Sequence, residues 1–207
     1  MGRPSDAREK LLEAAGRLIS ARGYTAVGVS EICDEAGVKK GSFYHFFDSK
    51  RDLVLDVIDS YWEHMAEGLE LTLGGAGKPL ERLERFLRAN ANEACRGRDA
   101  VGQVCGCPLG NLALELSTQD ELLREKLNEV FGYWTSRLAA VLEEATQAGE
   151  LDLGDPQRAA GDLVAFVEGR VLLSKLHNDP ESLADLAPSV LALLRALPGV
   201  SAQQTTA

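Results

Sequence analysis

Apolar residues recur at helical spacing along almost the whole chain. Leu11, Leu12, Ala15, Leu18 and Ile19 define one face of a first helix from Ser5 to Arg22, opened by Ser5 or Asp6 with Glu9 three residues after Asp6. Ile32, Cys33 and Ala36 make a short strip, and Gly37 stands where a helix needs a left-handed residue to stop. The chain restarts at once, with Phe43, Phe46 and Phe47 expected to anchor a second short helix. From Ser49 a longer helix carries Leu53, Val54, Val57, Ile58, Tyr61, Trp62 and Met65 on its inner side and runs to the break at Gly74, Gly75 and Gly77. Pro79 opens the next, with Leu80, Leu83, Phe86, Leu87 and Ala91 on one stripe, ending near Gly97.

An irregular stretch from Gly97 to Cys107 is expected to follow, then a short helix from Pro108 to about Leu116 with Cys107 at its cap. Asp120 caps a long helix through Leu123, Leu127, Val130, Phe131, Trp134, Leu138, Val141 and Leu142 to Gly149, on the order of 40 Å at 1.5 Å per residue. Two more helices span about Pro156 to Leu176 and about Pro180 to Leu197. Strand signals are few, and no internal repeat or low-complexity tract interrupts this pattern. The fold class is therefore all-α, about nine helices, with a small domain at 1–50 and a larger helical one at 51–207.

The last two helices look too greasy for one neighbour. Leu163, Val164, Phe166, Val167, Val171 and Leu172 on one, and Leu183, Leu186, Val190, Leu191, Leu193 and Leu194 on the other, are expected to bury part of their surface against a second copy of the chain.

Composition excludes several classes. The chain has 207 residues, 45% hydrophobic and 26% charged, which suits a folded domain and not a disordered one. No apolar run approaches the roughly 20 residues of a membrane span. The start Met1-Gly2-Arg3-Pro4 is neither a signal peptide nor a good acylation motif, so a cytoplasmic protein without membrane attachment is expected. Four cysteines in such a chain read as thiols, sensors or ligands more readily than as a disulfide framework.

Charge is unevenly divided. The net charge is -10, yet residues 1–51 hold nine Lys and Arg against seven Asp and Glu, so this end is net positive while the rest is strongly acidic. A chain built this way can approach a polyanion only through its N-terminal face.

The chemistry at that face is specific. Lys39, Lys40, Ser42, Tyr44 and His45 are donors suited to phosphates or base edges, and Gly41 lets the helix backbone approach a ligand closely. Two short helices around a glycine turn, the second held by aromatics and polar on its other side, follow the logic of a helix-turn-helix. The run Ala36-Gly37-Val38 through Gly41-Ser42-Phe43-Tyr44-His45-Phe46-Phe47 to Ser49-Lys50 and Leu53 resembles the DNA-binding signature of the TetR family of bacterial transcriptional regulators. The resemblance covers the first quarter of the chain densely, beginning with the helix that ends at Arg22-Gly23-Tyr24.

That resemblance implies a regulator, most simply a repressor, that binds a palindromic double-stranded operator as a homodimer through its last two helices and lets go when an unidentified small effector binds. It implies that the long helix after Ser49 connects the DNA-reading and regulatory parts. Lys39, Lys40, Tyr44 and Lys50 are expected on phosphates, Ser42 and His45 on base edges or nearby backbone, and Arg3 in the minor groove. Family members often carry Thr or Ser where this chain has Val27 and Gly28. Gly28 brings no side-chain acceptor, so Ser30 or a backbone amide is expected to serve that helix start. Cys33 is read as core.

For the regulatory half, Trp62, Phe86, Asn90, Phe131, Trp134 and Phe166 are the expected lining of an effector pocket. Cys107, in Cys105-Gly106-Cys107-Pro108, faces the amides of a helix start, which favour a thiolate, so Cys107 with Cys105 reads either as structural packing or as a candidate thiol sensor, a second route of control. A metal held by Cys95, Cys105 and Cys107 is disfavoured, because C-x-C is a poor zinc signature and no histidine lies nearby in sequence. No cofactor is expected. His45, His64 and His177 are far apart, and no nucleophile elbow or phosphate loop is present, so the chain reads as no enzyme. The alternative is a helical redox or metal-binding enzyme using the cysteines.

Overall fold

The computed structural model describes residues 4–197. Among them the regular structure is helical throughout, in nine α-helices and one turn of 3-10 helix. In chain order these are α1 (Pro4–Arg22), α2 (Val29–Ala36), α3 (Lys40–Phe46), α4 (Lys50–Leu73), α5 (Pro79–Val101), α6 (Pro108–Leu116), α7 (Glu121–Gln147), α8 (Pro156–His177) and α9 (Leu186–Ala196).

The helices pack as two units. One holds the described residues up to His64 together with Pro108–Val130, and the other holds Met65–Cys107 with the described residues from Phe131 onward. This division differs from the 1–50 and 51–207 partition read from the sequence, because α6 and the first part of α7 return to the N-terminal helices. Ion pairs mark that return: Lys126 meets Asp59 at 2.5 Å and Arg51 meets Asp120 at 3.7 Å.

The first unit is built on α1, whose Leu11, Ala14, Ala15 and Ile19 are buried. Ile32 and Cys33 of α2, Phe43 of α3 and Leu53, Val54 and Val57 of α4 are buried with them. In the second unit the buried residues include Leu83 and Leu87 of α5, Trp134, Leu138 and Leu142 of α7, Leu163 and Val167 of α8 and Val190 of α9. Asp120 opens α7 by accepting the Leu123 amide at 3.2 Å, and Asp155 opens α8 by accepting that of Arg158 at 3.0 Å.

Two boundaries differ from expectation. Residues 97–101, expected to be irregular, continue α5 to Val101, and the stop comes at Gly102, left-handed at φ 81, whose amide donates to the Arg98 carbonyl at 2.7 Å. An interior glycine costs a helix only about 1 kcal/mol, so Gly97 does not end it. The expected single helix from Pro180 to Leu197 is instead a 3-10 turn at Pro180–Leu183 followed by α9. Pro188 explains the restart, since a proline deep in a helix removes a backbone bond, whereas in the first turn of α9 its missing N–H is one that has no helical partner anyway.

The greasy faces of the last helices are only partly used within the chain. Leu186, Val190 and Leu194 of α9 are buried, but Leu172, Leu173 and Leu176 of α8 stay 52%, 48% and 71% exposed. No described helix is long and apolar enough to cross a membrane.

Candidate nucleic-acid interface

The reading surface begins at the turn after α2. Gly37 takes the left-handed conformation at φ 64 and ψ 30, and its amide donates to the Asp34 carbonyl at 3.2 Å while the Val38 amide reaches the Cys33 carbonyl at 2.9 Å. This double closure satisfies the last carbonyls of α2 and aims the chain into α3. Phe43 is fully buried and Phe47 nearly so, with ring centroids 5.6 Å apart, and the Tyr44 ring packs edge-on to Phe43 at 5.2 Å. Phe46, expected inside with them, is only half-buried and lies against the His45 ring.

Burying residues 43 and 47, one helical turn apart, fixes what α3 presents outward. Lys39, Lys40, Gly41, Tyr44 and His45 are exposed, with Tyr44 at 53%, and Ser42 is half-buried. A seven-residue helix is too short to be stable alone, so its aromatics hold it in place. The result is an exposed, donor-rich helix edge, the arrangement by which a helix-turn-helix meets a DNA major groove.

A family model described as the bacterial regulatory proteins of the tetR family matches residues 11–57, and one described as the tetracyclin repressor-like C-terminal domain matches residues 79–190. The transcriptional regulator AcuR of Cereibacter sphaeroides is 36% identical over 179 residues, 86% of this chain and 80% of its own. The chain belongs to the TetR family. The HTH-type transcriptional repressor NemR of Escherichia coli is 29% identical over 180 residues, covering 86% of this chain and 88% of NemR. Among solved structures, a regulatory protein TetR from Rhodobacter sphaeroides superimposes with a TM-score of 0.80 at 34% identity, over 90% of this chain and 97% of that one. Escherichia coli NemR in its reduced form gives 0.81 at 28% identity, over 94% of this chain and all of that one. As in the family, this chain is a transcriptional regulator with a helix-turn-helix DNA-binding domain.

Two expected members of the TetR-type interface are placed differently. Lys50 is not a free cation in this structure: its Nζ donates to the Tyr24 and Val27 carbonyls, both at 2.9 Å, and sits 3.9 Å from the Tyr24 ring centroid. Burial pulls its pKa below the ordinary value, against the opposing pull of Glu115. It therefore ties down the loop between α1 and α2, a use that its neighbours in sequence do not signal. Ser30 does not cap α2 either, since it lies inside the helix two residues beyond the N-cap Gly28, exposed, and no side chain caps that end. Arg3 lies outside the described residues.

Sequence reasoning missed Glu115. From α6 its carboxylate accepts the Tyr24 and Thr25 amides, each at 2.7 Å, on the loop that Lys50 holds from the other side. Burial pushes the Glu115 pKa up, but the Thr25 and Tyr24 hydrogen bonds and the Lys50 charge outweigh it and hold the carboxyl below its ordinary value. The contact spans about ninety residues of chain, so no local pattern could reveal it.

In the second unit, Trp134 is the hub of the aromatics expected around an effector. Phe86 meets it edge-on at 6.4 Å and Phe131 at 5.8 Å. The Asn90 side chain is used locally, donating to the Phe86 carbonyl at 2.9 Å. Phe166 is half-buried on α8, and Trp62, half-buried on α4, belongs to the first unit. Trp134 is only 4% exposed, yet its indole Nε1 has no hydrogen-bond partner among the described residues, an arrangement that costs roughly 1–3 kcal/mol.

The cysteines are free. Cys33 is buried in α2, where burial and the Asp34 charge push its thiol up against the pull of Lys40. Cys105 and Cys107 are half-buried, and the Cys107 thiol donates to Glu168 of α8, whose own pKa is raised because burial outweighs that bond. The helix-start effect expected to favour a Cys107 thiolate is thus opposed by an adjacent carboxyl group. No cluster of three metal-binding side chains occurs among the described residues.

Proposed function

We propose that the chain binds a palindromic operator as a homodimer and represses transcription from it until a small effector enters the C-terminal unit. The observation that carries this reading is the outward face of α3, where Lys39, Lys40, Gly41, Tyr44 and His45 are exposed over buried Phe43 and Phe47. Lys39, Lys40 and Tyr44 hold phosphates, while His45 and Ser42 reach toward base edges. The uncovered Leu172, Leu173 and Leu176 support pairing of the α8 and α9 helices with those of a second copy, which sets two α3 helices about one DNA turn or somewhat more apart. The repressor names of NemR and of DhaR from a Mycobacterium species, which is 29% identical over 179 residues, support repression. Such work places the protein with the chromosome in the cytoplasm, and no catalytic step is part of it.

An effector that prefers the released conformation weakens operator binding by the difference of its affinities, typically about 1–3 kcal/mol or roughly 5- to 150-fold. Its lining is drawn from Phe86, Asn90, Phe131, Trp134 and Phe166, all of the second unit. A second route is supported by one contact: modifying the Cys107 sulfur removes its hydrogen bond to Glu168 and so disturbs α8.

The test is a band-shift titration on the DNA flanking the chain's own gene beside a scrambled duplex of equal length. Saturable binding at least about a thousandfold tighter to the flanking DNA is expected. Equal binding to both duplexes would refute the reading.

A further inference from the structure

A buried nitrogen without a partner is informative about what else could occupy its surroundings. Among the described residues three buried side-chain nitrogens lack a hydrogen-bond partner: Arg82 Nε, Trp134 Nε1 and Arg137 Nε. The last two are three residues apart on α7 and share a helix face. Arg137 spends its Nη2 on Glu70, at 2.8 Å, and the Tyr133 hydroxyl reaches the same carboxylate at 3.4 Å, so the charge of Arg137 is already balanced while its Nε–H is idle. Arg82 is set apart: its two terminal nitrogens are bound to the Leu73 carbonyl and to Glu144, about 15 Å along α7 from Trp134 at 1.5 Å per residue.

Both idle groups on this face are donors, and neither can accept. The bodies beside the indole are apolar, Phe86 and Phe131. We infer that Trp134 Nε1–H, with Arg137 Nε–H three residues further along the same face of α7, forms the polar anchor of the effector site and selects a ligand that carries an acyl oxygen on an apolar body. A carboxylate or a neutral carbonyl supplies that oxygen, because Glu70 neutralises Arg137 and leaves no unbalanced charge to demand an anion. An ammonium or another donor-only head group cannot accept from either idle N–H. Phe131, half-buried where Trp134 is buried, is the ring of this cluster that turns aside to admit the ligand. This inference rests on the reading of the C-terminal unit as the effector-binding part.

The experiment follows the indole N–H resonances of the full-length 15N-labelled protein. The chain has two tryptophans, so Trp134→Phe assigns the Trp134 peak by its loss. Octanoate, methyl octanoate and octylamine are titrated separately as probes of equal apolar length. Saturable movement of the Trp134 peak with octanoate or with methyl octanoate, and none with octylamine, is the expected result; response to octanoate alone assigns a carboxylate, and response to the ester assigns a carbonyl. Arg137→Lys, which keeps a cation for Glu70 but removes Nε, is expected to weaken the bound acyl probe about three- to tenfold. A peak unmoved by either acyl probe, or moved equally by octylamine, overturns the inference. Operator binding measured without probe in the same preparation separates this failure from failure of the regulator reading.

Discussion

The two units treat buried polarity in opposite ways. In the reading unit the loop before α2 has its amides taken by Glu115 and its carbonyls by Lys50, and the turn after α2 is closed by Gly37 and Val38. In the other unit lie all three of the unpaired buried nitrogens found among the described residues. A surface that must match the fixed geometry of a duplex gains from being fully tied down. A site that must admit a ligand gains from keeping donors idle, at a cost in stability until it is filled.

The most severe way to break the reading unit is Phe43→Ala. Removing a fully buried ring from a seven-residue helix is expected to cost about 3–5 kcal/mol and to abolish operator binding, as read by chemical denaturation and band shift. Retention of wild-type stability would show that the ring does not hold α3. Glu115→Ala comes next. It strips two amides of their acceptor and is expected to cost about 1–3 kcal/mol, with hydrogen exchange at Tyr24 and Thr25 rising well above that within α1. Unchanged exchange at those two amides would mean that Glu115 does not anchor them.

Gly37→Ala should cost about 1–2 kcal/mol, the price of a left-handed alanine. A Cβ there meets nothing within 4 Å, so the effect is purely conformational, and a larger loss in a melting curve would reveal a contact instead. The smallest effect concerns pH. The folded Glu115 pKa lies below its ordinary value of 4.5, so its contribution is fully present above that value and is lost only as pH falls through the lower folded one. Exchange at Tyr24 and Thr25 should therefore show no carboxyl-linked opening between pH 5 and 8, after correction for the intrinsic pH dependence, and loosening near neutral pH would contradict this.

Legibility in the sequence followed the range of the interaction. Phe43 with Phe47, Gly37 as a stop and the donor run from Lys39 to His45 could be read because a helix turn brings residues four apart onto one face. The helix starts at Asp120 and Pro156 were equally local. Pro188 also carried its own message, since a proline belongs in a first turn, but the apolar periodicity of 180–197 concealed it. Lys50 was misplaced for a different reason: a lysine at a helix start beside a DNA-reading motif has the composition of a phosphate contact, and only packing shows its ammonium turned to two carbonyls. Glu115, the pairing of Cys107 with Glu168 and the idle indole of Trp134 depend on residues far apart in sequence, where no periodicity operates.

The exposed edge of α3 as the DNA reader is tested most directly by the salt dependence of operator affinity in three proteins: the natural chain, Lys39→Ala and Lys50→Ala. If the dimer makes about six to ten phosphate contacts, log affinity against log salt should fall with a slope of roughly -5 to -9. Lys39→Ala should flatten it by about one unit for each of the two sites, while Lys50→Ala should leave the slope nearly unchanged and lower stability instead. A slope insensitive to Lys39→Ala but flattened by Lys50→Ala would move the DNA contact away from α3 and contradict the assignment.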